Sequence, residues 1–229
     1  MKPIGLKTET KLFNSGHSII VGCDEVGRGA LAGPIVAAAV AISTKSLVPS
    51  AKLGRAKKDW WGNKVNDSKL LTAREREELA IHIKHFSVAF GVASISPSKI
   101  DKINIHEANL LALHLAVEKL HMQLSSKVRN NTYVLVDGKF ILPNWQGEQR
   151  AVVDGDAKIF SIAVASIIAK TFRDRYMMKQ DKKFPKFGFA KHKGYGTLEH
   201  RTALVRNGLS KIHRQTFCRN IDAWARKTV

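Results

Sequence analysis

Three short apolar runs in this chain each stop on carboxylates, and that placement constrains the fold more than any other feature. Ser18-Ile19-Ile20-Val21-Gly22-Cys23 ends at Asp24-Glu25 and a Gly-rich turn, Thr132 to Val136 ends at Asp137, and Gln149 to Val153 is followed by Asp154 and Asp156. Short apolar runs bounded by turn residues read as buried strands. Acids at their ends are poorly placed for surface ion pairs and well placed to converge beside a sheet. Ligands of α/β sheets collect at such strand carboxyl ends.

The rest of the chain supplies the other layers of an α/β fold. Pro34 to Ile42 and Phe86 to Ile95 have strand character. Leu71 to Lys84, after Thr72, suits a capped and partly exposed helix, and Ile105 to Leu124 sets leucines along a broad helical face. Asp156 to Lys179 is expected as one long helix, apolar nearly all round in its first half and therefore buried against the sheet. Lys45 to Asn66 reads as a basic loop carrying Trp60 and Trp61, which either meet nucleic acid or pack over a core edge. Short helices are expected at Glu199 to Asn207 and Asn220 to Lys227. Strands gathered early and then alternating with helices predict a mixed sheet with helices on its faces.

Charge narrows the partner. Lys and Arg number 38 against 19 Asp and Glu, a formal net charge of +19, which attracts a polyanion with a strength that falls as salt rises. Nucleic acid is the first candidate. No run approaches the roughly 20 apolar residues of a membrane span, and the N-terminus lacks the apolar core of a signal peptide. The expectation is a soluble, cytoplasmic monomer without membrane association. Cys23 and Cys218 form no CxxC pair, so they are expected as reduced thiols rather than zinc ligands or a disulfide.

Convergent carboxylates repel one another, and a hard divalent cation relieves that repulsion. Mg²⁺ or Mn²⁺ is the usual occupant where a substrate adds phosphate oxygens. Two such ions about 4 Å apart would clamp the attacking and leaving oxygens of an in-line phosphoryl transfer. Each acid also has a plainer reading. Asp156 could cap a helix, Asp137-Gly138 and Asp154-Gly155 are ordinary turn dipeptides, and Asp24-Glu25 could be a solvated turn.

The segment Asp24-Glu25-Val26-Gly27-Arg28-Gly29-Ala30-Leu31-Ala32-Gly33-Pro34 is more specific. Its glycines admit close approach of backbone N–H groups to a ligand, and Arg28 offers a planar fork for phosphate. It resembles the signature of the ribonuclease HII family. Further blocks follow in the family's order: Asn66 to Leu71, Val136-Asp137-Gly138, Gly155-Asp156 leading to Ser161 through Lys170 with Arg173-Asp174-Arg175, then Lys191 to Thr197 and Ile212-His213-Arg214. Together they cover about residues 18 to 218. Val26 stands where alanine is common, Ile159-Phe160 replaces more polar residues, and the Lys45 to Asn66 loop is longer than usual.

This resemblance implies a ribonuclease H-like mixed sheet flanked by helices over residues 1–183, with a C-terminal helical extension over 184–229 completing the substrate site. It implies metal ligation by Asp24, Glu25, Asp137 and Asp156. Asp156 is preferred to Asp154 because it follows Gly and precedes the Ala/Ser-rich helix. Gly27, Arg28, Gly29 and Lys69 match substrate-binding positions, the Gly-Arg-Gly turn at the ribose 2′-OH and adjacent phosphate, while Tyr195 matches the tyrosine that packs on the sugar. The implied activity is Mn²⁺- or Mg²⁺-dependent cleavage of RNA in RNA–DNA hybrids and nicking on the 5′ side of ribonucleotides in duplex DNA. The competing expectation is a basic nucleic-acid-binding protein without chemistry. The sister ribonuclease HIII family carries an extra N-terminal domain, for which Asp24 leaves no room.

Overall fold

Helix α1 (Lys7–Asn14) leads into the two strands that form the middle of the structure, β1 (Ile19–Val26) and β2 (Ile35–Ser43). This is a computed structural model, and it describes residues 4–44, 61–221 and 224. Strand β2 is buried at every position but its last, as a strand covered on both faces must be, which explains its unbroken Ile/Val/Ala composition. The expected basic loop falls largely on residues 45–60, outside those described; Trp61–Lys64 forms a single 3₁₀ turn.

Helix α2 (Ala73–Phe86) starts at a reciprocal cap. The Glu75 N–H donates to Thr72 Oγ1 at 3.2 Å while the Thr72 N–H donates to Glu75 Oε2 at 2.7 Å. Strand β3 (Ala89–Ile95) follows, then α3 (Pro97–His121), which begins earlier than its leucine face predicts because Ser96 caps it and Pro97 fits its first position. A kink at Asn104 (φ 65°) divides α3, and Asn104 Oδ1 accepts the N–H of His106 at 2.8 Å to restart the helix. After the short α4 (Ser126–Arg129) come β4 (Thr132–Asp137) and β5 (Glu148–Val152).

The sheet order is β3-β2-β1-β4-β5. Strands β1, β2 and β3 pair antiparallel, whereas β4 runs parallel to both β1 and β5. Leu113, Val117 and Leu120 of α3 pack on one face of the sheet.

The other face is covered by the expected long helix, with one correction. It is two helices, α5 (Gly155–Lys158) and α6 (Phe160–Lys183), separated by extended backbone at Ile159 (φ −126°, ψ 121°). The break lets the turn bearing Asp156 fold over the end of β4 while α6 starts afresh down the sheet, with Ile159 and Phe160 both buried. Helix α6 lies close on β1 because Gly22 has no side chain; a Cβ there would overlap the Ser161 backbone. Its N-terminus has no cap of its own. Instead Glu9, carried in by α1 and fully buried, accepts the Ser161 N–H at 2.8 Å.

Beyond α6 the chain forms α7 (Phe189–His192) and α8 (Leu198–Asn207), the latter where expected. A separate cluster of Ala32, Met177, Phe187, Phe189, Leu204 and Cys218 ties this segment to the loop after β1. Of the helix expected near Asn220 to Lys227, only residues 220, 221 and 224 are described. Both cysteines are free and buried. No helix among the described residues is long and apolar enough to cross a membrane.

Candidate active site

Parallel pairing of β1 with β4 puts Cys23 opposite Val136, so the next residues, Asp24 and Asp137, emerge side by side at the same end of the sheet. Oxygens of Asp24, Glu25 and Asp137 all lie within 4.8 Å of one another. Asp24 is 5% exposed, and Glu25 Oε2 is buried without a hydrogen-bond partner.

Such crowding has an electrostatic signature. Burial first, and then the charges of Glu25 and Asp137, hold the Asp24 carboxyl well above the usual carboxylate range. Burial followed by Asp137 pushes Glu25 up to about 7. Asp137 is raised by burial and then by Asp156, against the Gly155 N–H that donates to its Oδ1 at 2.7 Å. Among the described residues no cation lies within ion-pair distance of Asp24 or Asp137, and Glu25 has only Arg28, at 4.0 Å, so the neighbouring carboxylates prevail.

Asp156 is the fourth acid of the cleft, 7% exposed on α5. Lys69 Nζ donates to its Oδ2 at 2.8 Å. Lys69 is placed by a local turn in which its N–H donates to Asp67 Oδ1 at 2.9 Å, and Ser68 anchors that turn to α6 through Ser166 Oγ, also at 2.9 Å. Asp154, the rejected alternative, points away: its side chain is 70% exposed and pairs with Lys158 at 3.3 Å.

Of the remaining expected residues, Tyr195 lines the same cleft, and the Gly27-Arg28-Gly29 turn follows directly on β1 with Arg28 beside Glu25. Gly27 has φ +90° and its missing Cβ leaves room for the Arg173 side chain. Arg28 is half exposed, with Nη1 4.0 Å from Glu25 Oε1. Gly29 faces open space. Tyr195 lines the cleft, with the Arg173 guanidinium carbon 5.3 Å from its ring centre. Two groups at this rim have no role in the sequence reading: the buried arginines Arg173 and Arg214, and the histidines His192, His200 and His213, whose rings pack together beneath Tyr195.

An all-oxygen donor set of crowded carboxylates with one buried carboxylate oxygen left without a partner fits a hard divalent cation such as Mg²⁺ or Mn²⁺. Comparison with known proteins decides the family. The family model of ribonuclease HII matches residues 21–220.

The chain belongs to the ribonuclease HII family.

Ribonuclease HII of Caldicellulosiruptor bescii is 43% identical over 213 residues, covering 93% of this chain and 93% of that protein. Ribonuclease HII of Thermosynechococcus vestitus is 38% identical over 221 residues, covering 96% and 94%. Among solved structures, the ribonuclease H2 of Pyrococcus horikoshii OT3 superposes with a TM-score of 0.70 at 25% identity over 91% of this chain and 99% of that one. As a ribonuclease HII, the chain is a metal-dependent endoribonuclease of the class that hydrolyses RNA in RNA–DNA hybrids. A binding protein without chemistry is set aside.

Proposed function

We propose that this ribonuclease HII, besides cutting the RNA of hybrids, nicks duplex DNA on the 5′ side of embedded ribonucleotides and leaves 3′-hydroxyl and 5′-phosphate ends. The observation that carries the reading is the convergence of Asp24, Glu25 and Asp137 oxygens within 4.8 Å in a cleft that Tyr195 also lines, with Arg28 beside Glu25.

Asp24, Glu25, Asp137 and Asp156 would hold two Mg²⁺ or Mn²⁺ ions. Bound there, such ions would supply positive charge that offsets the negative charge borne by the attacking and leaving oxygens of an in-line displacement at phosphorus. The chain's own residues do the rest. Lys69 and Arg28 receive phosphate oxygens, Arg28 through a fork that suits them. Backbone groups of Gly27, Arg28 and Gly29 meet the 2′-OH, the group that separates RNA from DNA, and open space over Gly29 admits the strand. Tyr195 packs on the sugar at the junction. Water's oxygen bonds to phosphorus as the bond to the upstream 3′ oxygen breaks; of the two water protons one stays on the new 5′-phosphate and the other, by way of solvent, ends on that 3′ oxygen, which leaves as a hydroxyl.

In this reading residues 1–183 form the catalytic domain and residues 184–229 complete the substrate site. The enzyme acts as a cytoplasmic monomer, and its net charge of +19 draws it to duplexes. Cleavage of a DNA duplex bearing one ribonucleotide, beside an all-DNA control, tests the proposal. The expected product is one nick 5′ of the ribonucleotide that chelator abolishes; cutting of the all-DNA control, or at another position, contradicts it.

A further inference from the structure

The block Ile212-His213-Arg214 has no part in the chemistry above, yet it is hydrogen-bonded to one element assigned to the ribonucleotide and linked through His200 to the other. Arg214 is fully buried. Its Nη2 donates to the Gly27 carbonyl at 2.7 Å, Nη1 to that of Arg28 at 2.9 Å and Nε to that of Gly33 at 3.1 Å. Its own N–H donates to the Leu31 carbonyl at 2.8 Å. One planar guanidinium thus fixes the backbone on either side of Arg28. Among the described residues, neither Arg214 nor the neighbouring buried Arg173 has a carboxylate within ion-pair distance; their side-chain hydrogen bonds go to carbonyls of the loop after β1, and Arg173 Nη1 has no partner. Burying two guanidiniums that way is costly, which suits a device that fixes geometry better than one that adds stability.

His213 reaches the other element. Its Nδ1 lies 2.8 Å from the Ser210 backbone nitrogen, its Nε2 lies 3.0 Å from His200 Nε2, and His200 Nδ1 lies 2.9 Å from the Tyr195 carbonyl. The protons follow from these partners. A backbone N–H can only donate, so His213 Nδ1 is bare and its proton sits on Nε2; that N–H donates to a bare His200 Nε2, and His200 Nδ1–H donates to the Tyr195 carbonyl. Both rings are neutral, in line with the burial that lowers each of them to about 4.

We propose that His213 and Arg214 are positioning residues that set the spacing between the Gly27-Arg28-Gly29 turn and Tyr195, and through it the ability to act on a single ribonucleotide. The inference rests on the assignment of those two elements as readers of the junction. A lone ribonucleotide offers one register, so a small displacement of either reader cannot be offset by binding one step along. A long hybrid offers many.

The test is kcat and KM on a duplex with one ribonucleotide and on a long RNA–DNA hybrid, for the wild type, Arg214→Lys, His213→Leu, His213→Gln and Tyr195→Ala. Arg214→Lys and His213→Leu are expected to lower kcat/KM at the single ribonucleotide on the order of tenfold or more, with a smaller loss on the hybrid. His213→Gln keeps a donor towards His200 and restores the ratio. Equal losses on both substrates for Arg214→Lys and His213→Leu overturn the proposal, because a merely structural role lowers the amount of folded enzyme without changing the ratio. If Tyr195→Ala leaves the ratio unchanged, the assignment of the reader is what fails. Where a variant does not fold, ¹⁵N shifts of the wild-type histidines still decide: protons on His213 Nε2 and His200 Nδ1 are expected, and the opposite tautomers overturn the relay.

Discussion

Lys69 Nζ lies 2.8 Å from Asp156 Oδ2, so the fourth acid of the cleft has a cation beside it. Asp24 and Asp137 have none within ion-pair distance among the described residues, and Glu25 has only Arg28, at 4.0 Å. The Lys69 side chain is 74% exposed, and exposed pairs stabilise folds little. Its place in the cleft fits the proposed contact with substrate phosphate instead.

Lys69→Ala is therefore expected to leave the melting temperature nearly unchanged while weakening hybrid binding across all sequences. The slope of log K against log salt should become shallower by about 1, the signature of one lost phosphate contact. Binding titrations at several salt concentrations measure it; an unaltered slope removes Lys69 from the substrate path.

The raised carboxyls of Asp24, Glu25 and Asp137 mean that the metal-free site opposes folding. Asp24→Asn removes one buried charge and its repulsions. The metal-free variant is expected to be about 1 kcal/mol or more stabler than the wild type while losing cleavage, as seen by calorimetric melting in chelator. A lower melting temperature contradicts the account of crowding.

Histidine burial gives a pH dependence of the opposite kind. His200 and His213 titrate at about 4 in the fold, below the ordinary value near 6.5. Between those values the unfolded chain binds more protons than the native one, so the stability contributed by the neutral pair is complete above about pH 6.5 and is lost as pH falls towards 4. Melting temperatures measured from pH 8 to 4 should fall less steeply in His213→Leu than in the wild type. Parallel curves would remove the pair as the source.

Glu9 supplies the cap that α6 lacks in its own sequence. Glu9→Ala leaves the Ser161 N–H buried without an acceptor and is expected to cost about 1–3 kcal/mol, with little change in KM for the hybrid. Denaturant unfolding checks the first part and steady-state kinetics the second.

Much of the site is legible in sequence because it is local. Apolar runs that stop at Asp24 and Asp137 announce strand ends, and the parallel pairing of β1 with β4 makes those ends adjacent. The choice of Asp156 over Asp154 follows from the family signature; Asp156 is buried and the Asp154 side chain exposed. Other features have no local pattern. Ile159 is no helix breaker and heads a largely apolar run, so the break before α6 is invisible. Arg173 and Arg214 look like surface cations, since their partners are backbone carbonyls well over a hundred residues away. The histidine relay needs Tyr195, His200 and His213 to meet in space, which spacing along the chain does not reveal.

The most direct test of the proposed four-carboxylate centre is calorimetric titration of Mn²⁺ into the wild type, Asp137→Asn and Asp154→Asn, with hybrid cleavage followed on the same samples. Asp137→Asn is expected to lose both the binding heat and the cleavage, whereas Asp154→Asn retains both. Full Mn²⁺ binding and cleavage by Asp137→Asn, or their loss in Asp154→Asn, would contradict the placement of the metal site at the ends of β1 and β4.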